Sequence, residues 1–363
     1  MSMPSTALIV AGGRGTRLMP LTATVPKPML PFCGAPFLAG LARRLGAAGV
    51  ERVGLVVGAE TAPFQPLVTL LAPHGIEVFL VPEPTPLDTA GGVRAATRDL
   101  DESVLVLNGD VLSDLDVARL VARHDATGAS ATISLTRVPD TSTFGVCVLE
   151  DDRIVAFVEK PAAGTLPGHD TVNAGAYVLA AGVLEGFPDG PLSFEREVFP
   201  TLLASGARLT GVVHAGVWTD LGTPERFLDG QRLVLDGALA WPPLDGLADL
   251  GEVAGRPAWS GIRIGADVQV APDARLDPPV VLGDGAIVGS GAAVGPHVVV
   301  ADGAWVADDA DVSDSLLCEG SAVAQRAVVD RALLARGARV APGAVVTGPV
   351  AGPDADPVPG GRD

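Results

Sequence analysis

The sequence predicts an open, mostly parallel α/β sheet followed by a parallel β-helix of hexapeptide repeats. Three observations carry this. The chain has 363 residues, more than one core usually serves. Over its first half, short apolar runs alternate with helical stretches. From Ile264 onward, one aliphatic residue recurs every sixth position.

The first regime begins with Leu8-Ile9-Val10, read as a strand that ends in a glycine loop. Phe37 to Ala48 reads as a helix, because Phe37, Leu38, Leu41 and Leu45 fall at helical spacing. Val53 to Val57, Ile76 to Val81 and Val104 to Leu107 read as further strands, the last ending in Asn108-Gly109-Asp110. Strand, helix, strand in this rhythm implies parallel βαβ units. In such sheets ligands sit beyond the carboxyl ends of the strands, where the Gly12 loop and Asp110 fall.

The second regime runs through Ile264, Val270, Leu276, Leu282, Val288, Val294, Val300, Val306 and Val312. Gly, Ala, Ser or Asp follows each of them. After a slip near Cys318 the period resumes at Val328, Leu334, Val340 and Val346. The aliphatic residue is expected to stack inward, and the small one to permit the corner. The expected boundaries are 1–237 for the α/β domain, 238–258 for a turn-rich connector with Trp241-Pro242-Pro243, 259–350 for the β-helix, and 351–363 for a disordered Pro/Gly/Asp tail.

Apolar residues make up 48% of the chain and charged residues 19%, enough for a sizeable core. The net charge of −18 excludes a general nucleic-acid binder, which needs clustered cations. It leaves room for a small phosphorylated substrate. Cys33, Cys147 and Cys318 are too scattered for a disulfide framework or a zinc site, and fit a reducing cytoplasm. Cys33 and Cys147 are expected in the core. The apolar run Ala7 to Ala11 is too short to span a bilayer, and no leader pattern precedes it, so no membrane partner is expected. His74, His124, His169, His214 and His297 sit in no motif, which leaves a Ser/His/Asp triad unsupported.

The loop after the first strand reads Ala11-Gly12-Gly13-Arg14-Gly15-Thr16-Arg17-Leu18, then Pro20-Leu21-Thr22 and Pro26-Lys27-Pro28-Met29. Three glycines let backbone N–H groups approach an anion. Arg14, Arg17 and Lys27 concentrate positive charge in an acidic chain, so a polyphosphate is the natural partner. The dinucleotide fingerprint is broken at Leu18, and no G-x-x-x-x-G-K-[ST] loop occurs.

These strings, with the hexapeptide region, resemble the sugar-1-phosphate nucleotidyltransferases, and most closely the mannose-1-phosphate guanylyltransferase-like members. The resemblance implies a Rossmann-like nucleotidyltransferase sheet and a left-handed β-helix. It implies that Ala11, Gly12, Gly13, Arg14, Gly15 and Thr16 wrap an NTP, with Arg17 on its phosphates and Lys27 near the reacting phosphorus. Asp110, and Asp220 in Trp218-Thr219-Asp220-Leu221-Gly222, resemble the two metal-binding aspartates of that family, with Mg²⁺ as cofactor. Asn108 and Gly109 would flank the nucleotide. Phe157-Val158-Glu159-Lys160-Pro161 and Val172-Asn173-Ala174-Gly175 resemble the sugar-side motifs: Lys160 on the phosphate of the sugar 1-phosphate, Glu159 and Asn173 on its hydroxyls, Gly145 and Gly175 as backbone. The implied chemistry is in-line attack of a sugar (or cyclitol) 1-phosphate on the α-phosphorus. No general base is needed, because the nucleophile is already an anion.

The stretch Glu83-Pro84-Thr85-Pro86-Leu87-Asp88-Thr89-Ala90-Gly91 resembles the base-binding segment, often P-L-G-T-A-G, with Asp88 in place of a glycine. Thr89 and Gly91 match its last positions. Glu83 has two readings. As an acceptor-only carboxylate it matches the paired N1–H and N2–H donors of guanine, favouring GTP. Alternatively, it is a solvated loop acid. Thymidylyl, uridylyl or adenylyl transfer to glucose 1-phosphate, a non-catalytic regulatory subunit, and a bifunctional nucleotidyl/acyltransferase using His297 are the competing readings of the whole chain. The β-helix is expected to support a homo-oligomer.

Overall fold

The computed structural model describes residues 3–13, 15–242, 248–249, 261–348, 350–351 and 354–355. Arg14, most of the 238–258 connector and most of the 351–363 tail lie outside them. Contacts divide the chain into two compact units. One is residues 1–13 with 41–219, the other residues 14–40 with 220–363.

The first unit is built on a nine-stranded sheet. Its strands are β1 (Thr6–Val10), β4 (Arg52–Gly58), β5 (Glu77–Glu83), β6 (Val104–Asn108), β8 (Ala131–Arg137), β9 (Gly145–Glu150), β10 (Arg153–Glu159), β11 (Thr171–Leu179) and β12 (Leu209–Val213). The intervening labels β2 (Pro31–Phe32) and β3 (Ala35–Pro36) form a small hairpin, and β7 (Val111–Ser113) pairs with β13 (Trp218–Asp220). The order is β5-β4-β1-β6-β11-β8-β12-β10-β9. The four strands at the β5 side run parallel, as expected. Beyond β6 the sheet is mixed: β11 is antiparallel to both β6 and β8, while β12 is parallel to β8. The expectation of a mostly parallel sheet therefore holds for its first half only. The alternation of strand and helix that signals parallel pairing covers β1 to β6 and then stops.

Ala7, Leu8 and Ile9 of β1 are all fully buried, as befits a central parallel strand covered on both faces. Among the described residues the helices are α1 (Phe37–Ala47), α2 (Gln65–Leu71), α3 (Asp88–Ala96), α4 (Val117–Thr127) and α5 (Phe199–Ala204), with α6 (Pro224–Leu235) in the second unit. Helix α4 shows local signals at both ends. Asp116 accepts the Arg119 N–H at 2.9 Å, and Gly128 closes the helix in the left-handed conformation. Tyr177, Phe194 and Phe199 form the aromatic centre of the core, with ring centroids 5.2–5.5 Å apart. Cys147 is buried in this unit, and Cys33 and Cys318 in the other; burial pushes all three thiols up. That suits core packing and not nucleophilic chemistry.

In the second unit, Phe32, Phe37, Phe227 and Trp241 interlock, with Trp241 stacked on Phe37 at 5.2 Å and edge-on to Phe32 at 5.5 Å. The connector thus begins as packed structure. The β-helix consists of three parallel sheets. Its first coils repeat at 18 residues (Ala293↔Asp311, Ile287↔Trp305), and from Val299 to Ala351 the repeat is 17 (Val300↔Leu317, Val312↔Val329). One side of every later coil has lost a residue. The slip near Cys318 is therefore not a single event, and Val329, not Val328, faces the core: Val329 is 0% exposed and Val328 37%. Leu334 and Val340 face inward as expected.

The small residue after each aliphatic position has a different task from the one expected. A Cβ on Gly289 would lie 2.7 Å from the backbone nitrogen of Asp308 in the next coil. Asp308 itself accepts the Ser290 N–H at 2.9 Å, and Asp302 accepts that of Asp284 at 2.9 Å. The left-handed turn comes two residues later, at Gly291 in this corner.

Val329→Ala is expected to cost about 2 kcal/mol by loss of buried methyl groups. Val328→Ala should change stability by less than about 0.5 kcal/mol. Urea denaturation of the two variants checks the register.

Candidate active site

Three parallel strands of the first unit deliver their carboxyl ends to one place. After β1 the chain leaves the sheet at Ala11, whose N–H donates to the Val56 carbonyl at 2.7 Å. Gly12 and Gly13 follow, both exposed. After β6, the Gly109 N–H donates to the Val10 carbonyl at 2.8 Å, and a Cβ on Gly109 would lie 2.9 Å from that same oxygen. Only glycine allows this approach. At the end of β5 stands Glu83, in register with Gly58 of β4. A Cβ on Gly12 would lie 3.2 Å from its Oε2. Ala11, Gly12, Glu83 and Gly109 are thus brought together.

Glu83 is 7% exposed, so it is not a solvated loop acid. Burial pushes its carboxyl above the usual carboxylate range, and the N–H groups of Leu87 and Gly92 pull it partly back. Its Oε1 is buried and has no hydrogen-bond partner. Such an oxygen costs free energy unless something donates to it.

The rest of the expected base segment makes contacts within the protein. Asp88 adopts φ +62°, the left-handed conformation that a glycine would take there, and pairs with Arg196. The Thr89 hydroxyl donates to Glu195 at 2.7 Å and accepts the Phe194 N–H at 2.9 Å. A Cβ on Gly91 would meet the Gly190 carbonyl at 2.5 Å, which ties that glycine to packing.

The expected sugar-side residues also gather. Gly145 of β9 is in register with Glu159 of β10. Glu159 Oε1 lies 3.1 Å from Lys160 Nζ, while its buried Oε2 has no partner. Lys160 holds φ +45°, and its N–H donates to the Phe144 carbonyl at 3.1 Å; its ammonium end is mostly exposed. Asn173 donates to the Tyr177 hydroxyl at 2.7 Å and accepts the Gly175 N–H at 2.9 Å. The β11–β8 register shifts between Asn173 and Tyr177. That bulge aims Gly175, at φ +76°, toward Asn108, whose Nδ2 would lie 2.7 Å from a Cβ there. Asn108 and Gly175 thus touch. Asp110 sits half-buried one residue before β7.

Sequence reasoning passed over Trp218. Its Nε1–H donates to the Ala174 carbonyl at 2.9 Å, and its ring meets Phe144 edge-on at 5.4 Å. A tryptophan two positions before Asp220 was the available signal.

The second unit holds the remaining cations. Gly15 takes φ +59° and starts the turn Thr16–Leu18, and its carbonyl accepts from Thr22 Oγ1 at 2.9 Å. A Cβ on Gly15 would lie 2.9 Å from Lys27 Cβ. Lys27 is 8% exposed, while Thr16 and Arg17 face solvent. Asp220 accepts the Gly222 N–H at 3.1 Å on Oδ1, and its Oδ2 pairs with Arg226. A Cβ on Gly222 would lie 2.5 Å from Asp220 Oδ1 and 2.6 Å from Arg17 Nη2, so Arg17 and Asp220 flank the same glycine. Neither Gly222 nor Arg226 was singled out from sequence.

His297 has one ring nitrogen 2.7 Å from an Asp236 oxygen and the other 3.1 Å from Asp314, which Arg232 also holds at 2.7 Å. Both nitrogens face carboxylates, so neither stands open as the base of an acyl transfer. Among the described residues no helix is long and apolar enough to cross a membrane.

The nucleotidyl transferase family model matches residues 6–237, and the bacterial transferase hexapeptide model (six repeats) matches residues 261–296. The mannose-1-phosphate guanylyltransferase of Mycobacterium tuberculosis is 42% identical over 245 residues, 66% of this chain and 67% of the relative. The probable mannose-1-phosphate guanylyltransferase 2 of Arabidopsis thaliana is 38% identical over 242 residues, 63% of this chain and 65% of the relative. The chain therefore spans about two thirds of the length of these curated relatives. The crystal structure of HddC from Yersinia pseudotuberculosis superposes with a TM-score of 0.55 at 26% identity, covering 63% of this chain and 99% of that one. The same protein complexed with GMP-PN gives 0.54 at 27% identity, with the same coverage. With its sheet, its glycine loop and most of its length accounted for by one family model, the chain belongs to the nucleotidyl transferase family.

Proposed function

We propose that the chain transfers GMP from GTP to a sugar 1-phosphate, mannose 1-phosphate foremost, and releases pyrophosphate. A phosphate oxygen of the sugar bonds to the α-phosphorus as the bond to the β-phosphate oxygen breaks. The observation that carries the choice of base is Glu83: a buried carboxylate with an unpartnered oxygen, set against the first glycine of the phosphate loop. Guanine supplies two adjacent donors, which suit such a group. Relatives named as mannose-1-phosphate guanylyltransferases, and an HddC complex with GMP-PN, support the same nucleotide.

In this reading Gly12, Gly13, Gly15 and Thr16 present backbone to the triphosphate, together with Arg14, and Arg17 and Lys27 offset its charge. Lys160 holds the incoming phosphate, and Glu159 and Asn173 hold sugar hydroxyls. Asp110 and Asp220 are the carboxylates for Mg²⁺. They fit it: hard oxygen donors, half-buried, with Asp220 already holding a cationic group at Oδ2. When bound, the metal would neutralise phosphate charge and set the in-line geometry.

The catalytic domain is taken as residues 1–237 and the β-helix as 259–350. We propose a soluble, cytoplasmic protein that self-associates through the β-helix, where Ile287 and Trp305 stand exposed on adjacent coils. Incubating the purified protein with each of four NTPs against mannose, glucose, heptose and cyclitol phosphates, with pyrophosphate detection, tests the function. GTP with mannose 1-phosphate is expected to give the highest kcat/KM, and a preference for dTTP, UTP or ATP would overturn the guanine reading.

A further inference from the structure

The strongest unexplained contact near the candidate site is the ion pair between Asp220 and Arg226. It has three features. Asp220 does not depend on Arg226 for its orientation, because the Gly222 N–H holds Oδ1 at 3.1 Å. The backbone of Arg226 is fixed: Thr223 Oγ1 caps α6 by accepting its N–H at 3.4 Å, and Pro224 opens the helix. At the far end of α6, Asp236 is held by His297 at 2.7 Å. The guanidinium is nevertheless 44% exposed at the side-chain level, so it can turn while its helix stays still.

The local charges are also unbalanced. One carboxylate, Asp220, is flanked by two guanidinium groups, Arg17 and Arg226. Two guanidinium groups this close to one carboxylate suit an incoming anion. A metal ion bound at Asp220 must compete with Arg226 for Oδ2. A triphosphate arriving with the metal offers Arg226 several replacement oxygens.

We propose that Arg226 is the resident counter-cation of Asp220: it occupies the carboxylate before the nucleotide binds, and exchanges it for a phosphate oxygen when the metal–nucleotide complex arrives. The device would keep the site from holding a metal ion without its nucleotide. This rests on Asp220 being a metal carboxylate, and the test separates the two ideas.

The experiment titrates Mn²⁺ into nucleotide-free protein by calorimetry, using the full chain and the variants Arg226→Met, Arg226→Lys and Asp220→Asn. A second series measures the KM for GTP. With its competitor gone, Arg226→Met is expected to bind Mn²⁺ about fivefold more tightly, the scale of one solvent-exposed ion pair. Its KM for GTP should rise, because a phosphate partner is lost. Arg226→Lys should restore both values toward those of the parent. Unchanged or weaker Mn²⁺ binding in Arg226→Met would overturn the proposal and mark Arg226 as a mere support for the carboxylate. If Asp220→Asn leaves Mn²⁺ binding unaltered, Asp220 is no metal carboxylate, and the proposal falls for that separate reason.

Discussion

Lys27→Met is expected to lower kcat/KM for nucleotidyl transfer by about three orders of magnitude without unfolding the protein. Lys27 is 8% exposed and packs under Gly15 at the turn that follows the glycine loop. An ammonium this deep is costly to bury. In the proposed mechanism the negative charge of the phosphates offsets that cost. Removing one such preorganised charge typically costs about 10²–10³ in rate. Lys27→Arg is expected to restore only part of the activity, because a planar guanidinium fork presents its donors differently from a compact ammonium. Methionine matches the stem of lysine and keeps its packing, so the variant should stay folded. Steady-state kinetics and thermal unfolding on the same sample check both halves. Full activity in Lys27→Met would remove this residue from the phosphate site.

Glu83→Gln should abolish the preference for GTP. A site built to accept two hydrogen bonds rejects partners that lack them by large factors, and losing one acceptor is expected to cost about 10²-fold in kcat/KM for GTP. UTP or dTTP, with an acceptor–donor–acceptor edge, should lose much less. The pH dependence has a definite sign. Burial raises the carboxyl of Glu83, so the folded state binds this proton more tightly than the unfolded chain. The associated cost to stability is absent at low pH. It grows as pH rises from the unfolded value through the raised folded value, and is complete above it. Glu83→Gln removes that cost. The variant should therefore unfold at a higher temperature than the parent at neutral pH, with the gap closing in acid. GTP binding needs the ionised form, so parental affinity should fade as pH falls through the raised value, while the variant stays flat. Calorimetric titration of GTP at several pH values measures this, and an equally steep profile in the variant would assign the effect to another group.

Much of this was legible before any coordinates. Helix α1 and strands β1, β4, β5 and β6 came from apolar spacing, and they place Gly12, Glu83 and Gly109 at one edge of the sheet. The β-helix was visible because its period is enforced by stacking. What was hidden depends on contacts across long separations. No local pattern announces that β11 runs antiparallel beside β6, since that pairing joins segments far apart in the chain. Val328 and Val329 look alike in sequence, and only the shortened coil side decides which one turns inward. The burial of Glu83 depends on Gly12 and Gly92, neither adjacent to it. The Thr89 hydroxyl is taken by Glu195 and Phe194, which lie over a hundred residues away, so its string resembles a ligand contact while its side chain serves packing.

The indole of Trp241 stands just past the last residue matched by the family model, and it fills the space that a Cβ on Gly40 would need, 2.5 Å from the ring nitrogen. Its neighbours Phe32 and Phe37 follow directly on the stretch that carries Lys27. A chain severed at Gly237 would lose that plug and leave an aromatic-sized hollow beneath the hairpin. The packing around Phe32 and Phe37 is thus completed by a side chain that any alignment ending at the family boundary leaves out.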